Sequence, residues 1–169
     1  MSPAGADRRP VAIALAIVAA VVALDQLTKT WAVRELGDGP VSVVGDFAEL
    51  RLSFNPGASF SLLTGRTPIL AVLAIVIAGA LVWVLVRTDS LGMAVGFGLV
   101  LGGALGNLAD RIFRAPRFLH GEVVDFVSVG AWPTFNVADS AITIGAILVI
   151  WFAWRADRES DRSDQPDPR

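Results

Sequence analysis

Four stretches of this chain are apolar over close to the roughly 20 residues a helix needs to cross a bilayer. They are Val11 to Val33, Pro68 to Val86, Leu91 to Ala109 and Asn136 to Trp154. In hydrocarbon every backbone N–H and C=O must be bonded within the protein, so spans of this kind fold as helices. The chain is 54% hydrophobic and only 18% charged, too apolar for an ordinary soluble domain. The expected class is an α-helical integral membrane protein with four transmembrane helices. One domain is expected over residues 1–155, followed by a charged, Pro-containing cytoplasmic tail, 156–169, that is read as disordered.

The five tryptophans, Trp31, Trp83, Trp132, Trp151 and Trp154, fall at or beside the proposed helix ends, where indole rings favour the headgroup level. The fourteen-residue apolar run after Arg8-Arg9 also suits a cleavable signal peptide. Its continuation to Trp31 favours a span.

The first and fourth spans reach full length only by including polar residues: Asp25 and Lys29 in one, Asn136 and Asp139 in the other. Ionisable groups at membrane depth are expensive and point to function. Because successive spans alternate direction, DQLTK (Asp25 to Lys29), FNPGASFS (Phe54 to Ser61), GNLADR (Gly106 to Arg111) and FNVADS (Phe135 to Ser140) gather on one face. VVDF (Val123 to Phe126) falls in the loop between the last two, whereas the opposite face has only the turn Arg87 to Ser90. That asymmetry argues for a single site. Basic residues divide seven against seven between the faces, and seven against five once Lys29 and Arg111, expected to have carboxylate partners, are set aside. The count places both termini in the cytoplasm and the site outside. On the site face, Glu49 to Phe54 alternates polar and apolar residues behind Val41, Val43 and the Gly45-Asp46 turn, so a small extracytoplasmic β-sheet is expected between helices 1 and 2, with one face wet and the other packed or open to a peptide.

Without cysteine and with the single histidine His120, the chain has no thiolate nucleophile, no Cys-ligated metal and no HExxH helix, so no metal and no cofactor are expected. A net charge of −2 with no basic cluster excludes nucleic acid as a partner. His120 reads as a surface loop residue, and its neighbour Asp125 does not make a triad with it.

The polar residues allow two readings. Asp25 and Lys29 stand i,i+4 and can pair, while Asn107, Asp110 and Arg111 cluster at i, i+3 and i+4; ion pairs that hold span ends together account for Asp25, Lys29 and Asp110. Arg111 and Asn107 could instead hold a substrate carbonyl or orient a carboxylate. Asn136 and Asp139 stand in the N-cap to N3 relation, so Asp139 is explained as a helix cap. It is equally explained as half of an acid–base pair with Asp125, whose apolar frame Val123 to Val127 favours desolvation. A transporter would need carboxylates along a path to both faces, and spans two and three carry none at mid-membrane. A structural subunit would leave the two further carboxylates unexplained. A Ser/Lys mechanism through Ser59 or Ser61 would need Lys29 neutral beside Asp25.

Read in order, DQLTK, FNPGASFSLL, GGALGNLADRI, VVDFV and FNVADSAITIG resemble the bacterial lipoprotein signal peptidases, the type II signal peptidases, across about Asp25 to Gly145. The resemblance implies an aspartic endopeptidase of the bacterial cytoplasmic membrane, inhibited by globomycin, that removes the signal peptide of prolipoproteins before a lipid-modified cysteine. It places the catalytic aspartates at Asp125 and Asp139, and supporting polar residues at Asp25, Lys29, Asn55, Gly57, Asn107, Asp110, Arg111 and Asn136. Its partners would be a lipid-modified prolipoprotein and membrane lipids, and the chain is expected to act as a monomer. Ser59 stands where the family usually has alanine, and the loop Arg114 to Glu122 departs from what the family pattern leads one to expect.

Overall fold

The computed structural model describes residues 8–57, 67–115 and 118–163. Helix α1 (Arg9–Glu35) leads into strands β1 (Val41–Val44) and β2 (Ala48–Asn55). Helices α2 (Thr67–Leu85) and α3 (Leu91–Phe113) follow, then strand β3 (Val123–Val129) and helix α4 (Val137–Ser163). Helices α1, α3 and α4 are long and apolar enough to cross a membrane, and α2 is a fourth apolar helix. Their outward faces expose large hydrophobic side chains such as Leu15, Leu27, Val76, Trp83, Ile147 and Ile150, as a lipid-facing surface would.

Helix α3 is the centre of the bundle because its small residues admit close neighbours on two sides. Gly96 and Gly103 sit against α4, where a Cβ would meet Val149 and Ala138, and Gly98 and Gly102 sit against α1, where it would meet Ala14 and Val21. Lipid tails offer apolar side chains as good a home as a neighbouring helix does, so packing of this closeness is what holds such helices together. At one end Ala14, Leu85, Ala94 and Phe97 form an apolar core. At the other, Ala32, Leu36 and Phe126 pack beneath the sheet, with Trp31 edge-on to Phe126 at 6.4 Å.

The three strands are antiparallel in the order β1-β2-β3. The expected sheet therefore exists, but its third strand comes from the connection between α3 and α4, and VVDF is a strand where a loop is expected from the sequence. Its β-branched and aromatic residues supply both the strand preference and the burial, since Val123 to Phe126 are all buried. An irregularity in β2 between Leu50 and Ser53 sets the register that brings Ser53 opposite Asp125 and Asn55 opposite Val123.

A second correction concerns the tail. Instead of becoming disordered at residue 156, α4 continues to Ser163, its last turns supported by Arg158 lying 3.9 Å over the Trp154 ring and by an Arg155–Glu159 pair at 3.5 Å. Ser59, Ser61 and Arg66, together with residues 116–117 of the unusual loop and 164–169 of the tail, lie outside the described residues.

Candidate active site

Asp139 occupies the third position of α4, and the helix starts there because Asn136 caps it. The Asp139 N–H donates to Asn136 Oδ1 at 2.9 Å, and the Asn136 N–H donates back to Asp139 Oδ2 at 3.2 Å, the reciprocal box expected from the spacing. Because Asn136 Oδ1 accepts, its Nδ2 must face the other way. There it donates to Asp125 Oδ1 at 2.7 Å, so one asparagine touches both aspartates.

Asp125 is held on β3 and is 2% exposed. Its other oxygen accepts Asn55 Nδ2 at 3.0 Å. The Asn55 amide is oriented in turn by the Gly57 N–H, which donates to Asn55 Oδ1 at 2.8 Å from a backbone with φ of 102°, a conformation glycine adopts without strain. Burial pushes the Asp125 carboxyl up to about 6. The neighbouring charge of Asp139 adds to the rise, while the amides of Asn55 and Asn136 oppose it.

Beneath the two aspartates lies a buried ionic cluster. Lys29 Nζ donates to Asp25 Oδ2 at 2.8 Å, Asp110 Oδ2 at 2.9 Å and Asn107 Oδ1 at 2.8 Å, using all three of its hydrogens. Lys29 and Asp25 are fully buried, and Asp110 is 1% exposed. The same carboxylates also reach the helix and the strand that carry the two aspartates. Asp25 Oδ1 accepts the N–H of Ala138 at 3.0 Å, one residue before Asp139. Asp110 Oδ2 accepts the N–H of Val124 at 3.2 Å, one residue before Asp125. The ion pairs expected to tie span ends together do so, and they also grip the backbone beside each aspartate.

Two participants escape sequence reasoning. Gln26 Nε2 bridges Asp25 Oδ2, the Gly106 carbonyl and Asp110 Oδ1 at 3.1, 3.1 and 3.2 Å. Its place inside DQLTK is the signal that could have found it. Arg114 Nε bonds Asp110 Oδ1 at 2.6 Å, an i,i+4 relation readable from the sequence. Arg111, by contrast, forms no ion pair among the described residues. Its Nη1 donates to the Asn107 carbonyl at 3.2 Å, and its buried Nε has no partner among them. His120 lies in the loop, with its ring nitrogen 3.0 Å from the Phe118 carbonyl.

Asp139 is half-buried and opens onto an apolar groove of about 370 Å³ lined by Trp132, Phe135, Ser140, Thr143 and Ile144. A buried carboxyl that holds a proton more readily than usual, next to a second carboxylate at the mouth of an apolar groove, is suited to acid–base work on a polar bond carried by an apolar ligand.

The sequence profile of the family described as Signal peptidase (SPase) II matches residues 17–155. A lipoprotein signal peptidase of Rhodococcus jostii is 53% identical over 135 residues, 79% of this chain and 68% of its own. One of Mycobacterium avium is 47% identical over 152 residues, 88% and 84% of the two chains. A solved structure described as a bacterial membrane enzyme superimposes with a TM-score of 0.77 at 32% identity, covering 92% of this chain and 95% of the other.

Proposed function

This chain belongs to the signal peptidase II family, a membrane-bound protease that removes signal peptides from prolipoproteins, and from that membership we propose that Asp125 and Asp139 are its catalytic pair. The observation that carries this reading is the unequal environment of two carboxyls joined through Asn136: Asp125 buried with its proton affinity raised to about 6, and Asp139 open to the groove. Such a pair shares one proton. Asp125 carries it and passes it to the carbonyl oxygen of the scissile peptide as water attacks the carbon. Asp139, already oriented by its helix cap, accepts a proton from the attacking water. The tetrahedral intermediate then collapses as that proton passes to the leaving nitrogen, and the carbonyl oxygen returns its proton to Asp125. Cap and catalysis are compatible roles for Asp139, since the Asn136 N–H takes only one lone pair of one oxygen.

The apolar groove beside Asp139 supports an apolar substrate that reaches the site within the membrane, in keeping with a prolipoprotein cut before a lipid-modified cysteine. Asn55 and Gly57, Asn107 and Asn136 orient the aspartates; Asp25, Lys29 and Asp110 hold the elements that carry them. Arg111, with its unpartnered buried Nε, has donors left for a substrate carbonyl. We place the site on the extracytoplasmic side of the cytoplasmic membrane, with both termini inside, on the balance of basic residues. The chain acts as a monomer, and globomycin blocks it.

Incubation of the purified protein with a diacylglyceryl-modified prolipoprotein, followed by a gel shift, tests this reading. Asp125→Asn and Asp139→Asn should each lower the rate by at least the order of 10² to 10⁴ expected of a lost acid or base, and the double variant should be hardly worse than either. Near-normal turnover by Asp139→Asn would leave it only the cap. Equal cleavage of an unlipidated precursor would remove the lipid requirement.

A further inference from the structure

An ammonium group can only donate hydrogen bonds, and that fixes a direction through the site. Since Lys29 Nζ lies 2.8 Å from Asn107 Oδ1, that atom must be the amide oxygen, and the Asn107 NH₂ must point away from Lys29. It points at Asp139, donating to Oδ1 at 2.8 Å. The same Asn107 oxygen also accepts Asn136 Nδ2 at 3.1 Å, which reinforces the orientation. We propose that Lys29 is a positioning residue for the cleavage reaction: through Asn107 it presents a fixed hydrogen-bond donor to Asp139, and so keeps the bonded oxygen an acceptor and leaves the carboxylate's remaining lone pairs turned to the water it activates.

The alternative is that Lys29 serves only to neutralise Asp25 and Asp110, and the geometry separates the two roles. Pairing with both carboxylates takes two of its three hydrogens; the third is spent on a neutral amide whose other end touches the aspartate. Among the described residues, the charged groups facing Asp139 are Arg111 from α3 and Asp125 from β3, with Lys29 of α1 and its partners Asp25 and Asp110 behind Asn107. Of these, Lys29 alone reaches the Asp139 carboxylate through a single intervening side chain whose orientation it sets.

This inference rests on the assignment of Asp139 as a catalytic group, and the test separates the two. Asn107→Asp keeps an oxygen for Lys29 and hence the ionic cluster, but offers Asp139 an oxygen in place of an NH₂. It should melt within a few degrees of wild type, with kcat down by about 30-fold or more and KM within about threefold, and with the acid limb of the kcat–pH profile displaced to higher pH. Asn107→Asp cleaving within about threefold of wild type, with its acid limb unmoved, would overturn the proposal. Lys29→Met tests the ammonium directly, and because it leaves Asp25 buried without a cation and Asp110 with Arg114 alone it is paired with the neutralised variant Asp25→Asn/Lys29→Met/Asp110→Asn. The neutralised variant should insert and melt cooperatively yet stay slow, with the loss in kcat. Recovery of cleavage to within about threefold of wild type would reduce Lys29 to a charge balance. Asp139→Asn, run alongside, reports on the premise: if it retains turnover, the catalytic assignment fails first.

Discussion

Asn136 donates its side-chain amide to Asp125 Oδ1 at 2.7 Å while its own oxygen caps the first turn of α4, so the start of a membrane helix and the position of a buried carboxyl on a strand are fixed by one residue. Serine is as good an N-cap as asparagine but too short to reach Asp125. Asn136→Ser should therefore separate the two roles, losing no more than about 2 kcal/mol of stability while cleavage falls by about tenfold or more. Thermal melting in detergent and initial cleavage rates would be compared; equal loss of both, in proportion, would mean that Asn136 is a cap and nothing else.

The raised proton affinity of Asp125 carries a stability consequence of definite sign. Its folded-state value of about 6 lies above the ordinary 3.8, chiefly through burial, so the folded state binds this proton more tightly than the unfolded chain. The stabilisation from that protonated form is complete below the unfolded value and is lost as pH rises through about 6. Wild-type melting temperature should accordingly decline between pH 4 and pH 7, and Asp125→Asn should flatten the decline. An identical pH dependence in the two proteins would contradict the assignment of burial as the dominant influence.

At Gly103 of α3 a Cβ would collide with the Ala138 carbonyl and come within 2.7 Å of Ile142, so Gly103→Ala has to push α4 away. The displaced segment carries Asp139. We expect a loss of about 1–3 kcal/mol and a disproportionate loss of cleavage. Gly79→Ala on α2, where nothing lies within 4 Å, should change neither. Melting curves and turnover for the pair would show whether close helix packing or helix propensity is at issue.

Orientation can be read with single cysteines, because the chain has none of its own. Asp38 is exposed between α1 and β1, on the site face, and Glu159 is exposed on the last turns of α4. In intact cells a membrane-impermeant thiol reagent should label Asp38→Cys and spare Glu159→Cys. The opposite pattern would invert the assigned topology.

Much of this site is legible before any coordinates, for a physical reason. The membrane makes each polar residue costly, so those that remain mark the site, and the cap-to-N3 spacing of Asn136 and Asp139 is a local relation that survives folding unchanged. Relations that depend on register do not show in the same way. The irregularity in β2 is what brings Ser53 opposite Asp125, and neither that irregularity nor the pairing of strands so far apart in the chain follows from periodicity. The continuation of α4 past Arg155 is missed because a charged composition suggests disorder, whereas Arg–Glu and Arg–Trp contacts between successive turns sustain the helix.

The buried cluster of Lys29 with Asp25 and Asp110 also constrains how such a protein can change over generations. Loss of Lys29 leaves Asp25 a buried carboxylate with no cation beside it, a penalty of about 3–5 kcal/mol that few chains could absorb, whereas loss of Asp25 leaves Lys29 still paired with Asp110. Replacement of the set by apolar residues is acceptable only at the last step, when the charges have all gone. Substitutions at these three positions are therefore epistatic in a definite order: Lys29 can be lost only after Asp25 has changed, so a lineage that sheds the cluster must give up the carboxylate before the ammonium.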